Sequence, residues 1–326
     1  MKAIVITEFG GPEVLKLREV ETPAPQRGEV RVRVRATAVN RADLIQRLGM
    51  YAAPPGVPKD IPGLEYAGEV DAVGQDVVDV RVGERVFGLV GGGSYAEHVI
   101  VNAREIARIP DALSFADAAA IPEAFLTAYD AMVTRGRLAA GEAVLISAVG
   151  SGVGTAAVQI ARAIGARSIG TVRTKDKLER ARALGLDVGI VAEGGAFADA
   201  VLAARPGGVD VVLELVGGGY VAEDVKCVAT KGRIVVVGLM AGVQSELDLR
   251  ALLFKRAEIH GTVLRARPLE EKIAAMQVFS RNVVPLVASG VLRPVVEAVI
   301  PLAEAARAHE LVSKNETFGK VVLEVA

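Results

Sequence analysis

One stretch of this chain constrains its fold more than any other: Val144-Leu145-Ile146-Ser147-Ala148-Val149-Gly150-Ser151-Gly152-Val153-Gly154. An apolar run of strand length enters a cluster of glycines. A small-residue helix pattern, Val153–Ile164, leaves it and stops at Gly165. A buried strand that turns on glycines into a helix opens a βαβ unit. In that setting the glycines let the backbone approach a pyrophosphate, and the helix N-terminus supplies N–H donors and a partial positive charge. The spacing departs from G-x-G-x-x-G: with Gly154 as the last glycine, the first two positions are Val149 and Ser151. A tight strand–helix connection with no ligand is the competing reading. The run Ala143–Ala161 carries no charge and has the length of a membrane helix. Its central glycines would break such a helix, so a soluble strand–turn–helix is expected.

Around this turn the chain alternates strand and helix. Val144–Ser147, Ser168–Val172, Val188–Val191, Val209–Leu215, Arg233–Val237 and Glu258–Thr262 read as strands, and Lys175–Leu184 as a charged helix stopped by Gly185. Such alternation predicts parallel βαβ units with right-handed crossovers, a doubly wound α/β sheet. The first 120 or so residues read differently. Ala3–Thr7 is a short apolar run, and Val30-Arg31-Val32-Arg33-Val34-Arg35 alternates with period two, as a half-buried strand should. Glu69–Val73, Arg85–Leu89 and His98–Val101 follow as strands, with Gly and Pro at the joints. Beyond Pro268 a long helix is expected over Glu270–Ser289, then a strand over Lys320–Val325 that returns to the first domain. The expected division is residues 1–123 and 265–326 as a discontinuous β-rich domain, and 124–264 as the doubly wound one.

Composition excludes several functions. With 38 Lys+Arg against 39 Asp+Glu the net charge is −1, so no chain-wide basic field exists for nucleic acid or an anionic membrane. Aromatics are 4% and Trp is absent, which disfavours base-stacking platforms. A single cysteine, Cys227, excludes an intramolecular disulfide and a multi-cysteine metal site. His98, His260 and His309 are isolated in sequence and read as structural or surface groups. The opening MKAIVITEFG carries Glu8 and no signal-like apolar run, so a cytoplasmic protein is expected.

The residues after the second βαβ strand bear on the cofactor. A dinucleotide without a 2′-phosphate calls for Asp or Glu at that strand's end. Here the stretch is Thr171-Val172-Arg173-Thr174-Lys175-Asp176-Lys177. Cations and a hydroxyl suit a 2′-phosphate through charge-assisted hydrogen bonds, so NADPH is expected. A solvated basic helix start is the alternative, and Lys175 is read as that.

Longer motifs carry a family resemblance over nearly the whole chain: Asn40-Arg41-Ala42-Asp43-Leu44, Pro62-Gly63-Leu64-Glu65, Ala118-Ala119-Ala120-Ile121-Pro122-Glu123-Ala124, Leu126-Thr127-Ala128, Ser151-Gly152-Val153-Gly154-Thr155-Ala156-Ala157, Gly238-Leu239-Met240, Leu253-Phe254-Lys255-Arg256 and Gly319-Lys320-Val321-Val322. In these the chain resembles the zinc-free quinone oxidoreductases of the medium-chain dehydrogenase/reductase superfamily, most of all the p53-inducible branch. The resemblance implies a Rossmann sheet inserted in a GroES-like catalytic domain. Zinc-dependent members carry a Cys near the place of Asn40 and a Gly-His-Glu where this chain has Gly63-Leu64-Glu65, so both ligands are missing and no metal is expected.

The resemblance further implies that Asn40, Asp43 and Tyr51 line the catalytic pocket. Asn40 would orient the acceptor or the nicotinamide ribose, and Tyr51 would stack on a ring or donate to a quinone oxygen. Asp43 and Glu65 are read as partners of backbone amides. On the cofactor side it implies Thr127, Ser151, Gly152, Val153, Thr174, Lys177, Gly238, Leu239, Met240, Leu264 and Arg265, with Arg173 added by the charge argument. Where relatives often place a Tyr near the adenine this chain has Ala192, and Arg173 is expected to compensate by stacking. A homodimer acting on a small quinone or enone is the expected form. An enone or 2-alkenal reductase, and a non-enzymatic crystallin-like or RNA-contacting NADPH binder, are the rival readings.

Overall fold

The computed structural model describes Met1–Ala326, the side chain of Glu193 excepted. The chain forms two compact units, Met1–Leu126 with Leu264–Gly290 and Pro294–Ala326, and Thr127–Val263 with Val291–Arg293.

The second unit is a six-stranded, wholly parallel sheet. In spatial order its strands are Val188–Val191, Arg167–Val172, Ala143–Ile146, Val209–Glu214, Val228–Val236 and Glu258–Gly261. Numbered along the chain, that is 3-2-1-4-5-6, the order of dinucleotide-binding sheets, whose crevice lies where the order reverses. Here the reversal falls between Ala143–Ile146 and Val209–Glu214. The central strands read as continuous apolar runs because both faces are covered: Val144, Leu145, Ile146, Val211, Val212 and Leu213 are all fully buried. Helix Gly152–Ala163 buries Ala156, Ala157 and Ala161, small side chains that permit a close approach, together with Ile160.

The first unit is built on the strand Glu29–Ala38. It pairs antiparallel with Glu65–Val73, His98–Asn102 and Lys320–Glu324, so the last strand of the chain returns into this sheet, between Glu29–Ala38 and Val296–Pro301. The period-two alternation has a simple origin. Val30, Val32 and Val34 point inward at 0–1% exposure, while Arg31 and Arg35 reach across to Asp71 and Glu69 on the neighbouring strand, both at 2.8 Å.

The expected helix Glu270–Ser289 is two helices, Leu269–Asn282 and Val284–Ala288. Pro285 supplies no N–H to the preceding turn and its ring crowds the carbonyl four residues back; the chain breaks at Val283. Unanticipated elements include the strands Leu15–Glu19 and Val296–Pro301 and the helices Arg41–Arg47, Phe115–Ala119 and Ala305–Ser313. No helix among the described residues is long and apolar enough to cross a membrane; the uncharged run Ala143–Ala161 is strand, turn and helix.

Candidate functional site

In the first unit, Asn40 lies two residues past the central strand Glu29–Ala38 and stands at the N-cap of helix Arg41–Arg47. Its backbone N–H donates to Asp43 Oδ2 at 2.8 Å. Asp43, fully buried, also accepts from the Gly63 N–H at 3.0 Å and from the Tyr95 hydroxyl at 3.3 Å. Burial outweighs these donors and the nearby cations Lys320 and Arg265, and pushes the carboxyl up to about 6. The Tyr95 oxygen is 3.2 Å from His309 Nε2. A hydroxyl has one proton, so giving it to Asp43 requires His309 to donate from Nε2. Burial, with Arg47 adding repulsion, holds His309 down at about 3 and therefore neutral.

The amide of Asn40 is engaged at both ends. Nδ2 donates to Glu65 Oε1 at 2.8 Å and to the Ala38 carbonyl at 3.3 Å; Oδ1 accepts from Lys320 Nζ at 2.5 Å. The Lys320 ammonium also donates to Glu65 Oε1 at 2.8 Å and to the Val39 carbonyl at 3.2 Å. Glu65 Oε2 accepts from the Glu123 N–H at 2.9 Å, in the first turn of the helix Pro122–Tyr129. Glu65 is 0% and Lys320 5% exposed, so the pair is cut off from water.

Tyr51 is half-buried, and burial raises its hydroxyl against the pull of Arg265. The Arg265 guanidinium lies 4.9 Å from its ring centroid. Arg265 donates from Nε to the Gly91 carbonyl at 2.7 Å, from Nη2 to Gln46 Oε1 at 2.5 Å and from Nη1 to the Tyr51 carbonyl at 3.4 Å. Its fork is thus bound to groups of the first unit. Leu264, half-buried, precedes it.

In the second unit the remaining residues gather at the carboxyl ends of the strands. Ser151 caps helix Gly152–Ala163 by accepting the Gly154 N–H at 3.0 Å. The N–H groups of Gly152 and Val153, at the first two helical positions, have no intrahelical acceptor by geometry. A Cβ on Gly154 would lie 2.5 Å from the Ala148 carbonyl, so only glycine allows the helix to start so close to its strand. Ala148, one residue before the first fingerprint position, takes the left-handed turn conformation, φ 51°. Thr127 is buried, Arg173 and Thr174 are exposed, and Lys177 is half-exposed.

Gly238 follows the fifth strand, and a Cβ there would be 2.2 Å from the Leu215 carbonyl. The two loops are stitched together by Ala241 N–H to Val216 O at 2.7 Å and Gly218 N–H to Gly242 O at 3.0 Å. Leu239 and Met240 project at 51% and 50% exposure. Below them Glu214 accepts the N–H groups of Val216 and Gly217. Asp224 lies fully buried beside it, its carboxyl facing that of Glu214. Burial and the Glu214 carboxylate hold it well above the usual carboxyl range. Beside Ala192, the rings of Phe197 and Tyr220 meet at 5.1 Å, with Tyr220 within electrostatic reach of Arg173.

Residues 26–111 match the alcohol dehydrogenase GroES-like domain and residues 152–281 the zinc-binding dehydrogenase domain. The quinone oxidoreductase of Lama guanicoe is 34% identical, over 99% of this chain and 97% of that protein. This chain belongs to the quinone oxidoreductase family of medium-chain dehydrogenases/reductases. Solved structures agree with the fold of that family. An NAD-dependent alcohol dehydrogenase is 33% identical with a TM-score of 0.87, each chain covered in full. The Escherichia coli quinone oxidoreductase complexed with NADPH is 29% identical with a TM-score of 0.88, over 99% of this chain and 100% of that one. The chain is therefore an oxidoreductase of this superfamily. The sequence alone assigns no role to Lys320, which lies within the family motifs, or to Tyr95 and Gln46, which lie outside them. The one signal for Lys320 was a lysine heading the apolar strand run Lys320-Val321-Val322-Leu323, where a solvated cation is out of place.

Proposed function

We propose that this chain is an NADPH-dependent quinone reductase that works without a metal. The observation that carries the reading is the cluster at Asn40 and Glu65. Where zinc-dependent relatives place ligands, a lysine ammonium is lodged 2.5 Å from Asn40 Oδ1 and 2.8 Å from Glu65 Oε1. Neutral amide, leucine and ammonium do not make a zinc donor set, which needs three or four N, S or O ligands. Among the described residues no group of three or more His, Cys, Asp or Glu is placed to hold a metal ion. The naming of the relatives as quinone oxidoreductases supports the substrate class.

The second unit fits a dinucleotide. Close-packed Gly154 and Gly238 leave backbone, free of side chains, at the strand ends, and the helix N-terminus at Gly152 suits a pyrophosphate. Arg173, Thr174 and Lys177 would hold the 2′-phosphate; Tyr220 and Arg173 would pack the adenine in place of the missing tyrosine. When bound, the nicotinamide supplies the hydride that reduces the acceptor. The protein's own residues position and exclude water: Asn40 orients the nicotinamide ribose or the acceptor, Tyr51 packs against the acceptor, and Asp43 holds the Asn40 and Gly63 backbones in place.

Assembly follows from an edge. Strand Glu258–Gly261 closes one side of the parallel sheet, and the adjacent helix exposes Leu249, Leu253 and Phe254 at 69% each. An edge strand beside apolar surface supports a homodimer. The deciding experiment is steady-state NADPH oxidation with a panel of quinones and a panel of enones. Turnover of quinones is expected. Turnover of enones alone would move the assignment to a double-bond reductase, and turnover of neither despite NADPH binding would leave a binding protein.

A further inference from the structure

We infer that Lys320 and Glu65 are positioning residues that lock the amide of Asn40 in one orientation. The inference rests on Asn40 facing the reacting groups, as proposed above. An ammonium has three N–H donors, and Lys320 spends them on Val39 O, Asn40 Oδ1 and Glu65 Oε1. None remains for a substrate, so Lys320 is not an acid in the reaction. The two amide hydrogens of Asn40 are also engaged, on Glu65 Oε1 and Ala38 O.

A flipped amide would set its NH2 against the ammonium and its carbonyl against a carboxylate and another carbonyl. The buried pair therefore selects one amide orientation out of two. An amide oxygen has two lone pairs, and Lys320 takes one. With both amide hydrogens engaged, the fixed amide would act toward a ligand only through its oxygen, as an acceptor. A quinone carries carbonyl acceptors only, whereas a ribose carries hydroxyl donors. Such an amide would suit a hydroxyl of the nicotinamide ribose, and Tyr51 would be left to meet the quinone. Without Lys320 and Glu65 the amide turns freely and presents donor and acceptor in mixture.

The test is a cycle of variants in the full-length protein. Lys320→Met/Glu65→Gln removes both charges together and leaves no buried ion without a partner. With thermal melting confirming the fold, turnover at saturating NADPH and quinone should drop about ten- to a hundred-fold, the scale of a lost orientation. Asn40→Ala alone should drop it similarly, and the triple variant should be no slower than Asn40→Ala, because all act through one amide. A merely structural pair would give losses that multiply, which would overturn the inference, as would wild-type turnover in the double variant. If the double variant does not fold, Lys320→Gln enters the same cycle, its amide keeping one donor toward Asn40; an intermediate loss absorbed by Asn40→Ala is expected, and a multiplicative or absent loss overturns the inference. Wild-type turnover in Asn40→Ala would remove the role of Asn40 itself, even while wild-type quinone reduction stands.

Discussion

The guanidinium of Arg265 lies over the ring of Tyr51, 4.9 Å from its centroid, and the same fork holds Gln46 and the Gly91 carbonyl. A cation–π contact and two buried hydrogen bonds therefore tie Tyr51 to the rest of the first unit. Arg265→Met should leave Gln46 Oε1 and Gly91 O without these donors and cost about 2 kcal/mol of stability. Quinone kcat/KM should fall roughly tenfold as Tyr51 loses its support, and NADPH affinity should stay near wild type. Tyr51→Ala should show the same kinetic signature without the stability loss. Urea denaturation, quinone kinetics and an NADPH titration read the three effects. A loss confined to NADPH affinity would show that Arg265 is a cofactor ligand instead.

Asp43 and His309 should give opposite pH dependences of stability. The Asp43 carboxyl is raised from 3.8 to about 6. Between those values the folded chain binds more protons than the unfolded one, so this group lowers stability as pH rises. His309 is lowered from 6.5 to about 3. Over that range the unfolded chain binds more protons, so this group raises stability as pH rises. Relative to wild type, Asp43→Asn should gain stability with pH between about 4 and 6, by roughly 1.4 kcal/mol per pH unit. His309→Gln should lose it over the same window with similar slope. Urea melts at half-unit pH steps test this; parallel curves for both variants and wild type would mean that neither group is perturbed.

Cofactor choice should respond to charge and to salt. Arg173 is exposed and Lys177 half-exposed after the strand Arg167–Val172. A hydrogen bond to a charged group is worth about 1.5–3 kcal/mol, so Lys177→Ala should weaken NADPH by roughly ten- to a hundred-fold. The smaller end applies to Arg173→Ala, where solvent screens the charge. NADH binding should hardly change, and the discrimination should shrink as ionic strength rises. Equal losses for both cofactors would place these cations elsewhere than on a 2′-phosphate.

Turnover should survive exhaustive chelation, and elemental analysis of the purified protein should find less than stoichiometric zinc. Leu64 has no metal-binding atom, and Asn40 Oδ1 already accepts from Lys320. Activity lost to a chelator and restored by zinc would end the metal-free reading.

Part of this molecule is written in short-range pattern. The glycine turn at Val149–Gly154, the valine–arginine alternation of Val30–Arg35 and the strand–helix alternation after Pro122 each need only their own neighbours to be recognised, because side-chain period and turn conformation are local properties. They announce the parallel sheet, its ligand-facing edge and the β-rich partner unit. The break at Val283 was equally local, since Pro285 stands in plain view, yet the helical pattern on either side masked it. The motifs that contain Asn40 and Asp43, and Leu64, were legible as well, and with them the departure from a zinc donor set.

What those residues do to one another was settled only by folding. Lys320 meets Asn40 and Glu65 across 280 and 255 positions of chain, and Arg265 meets Gln46 across 219. Tyr95 meets His309 across 214. No local pattern encodes such distances. A lysine, a carboxylate and an amide are ordinary surface residues by composition; they become one buried device because the last strand pairs beside the strand that leads to Asn40, where no water remains to compete for their hydrogen bonds. The residue types came from the sequence, and their coupling came from the return of the terminal strand into a dry core.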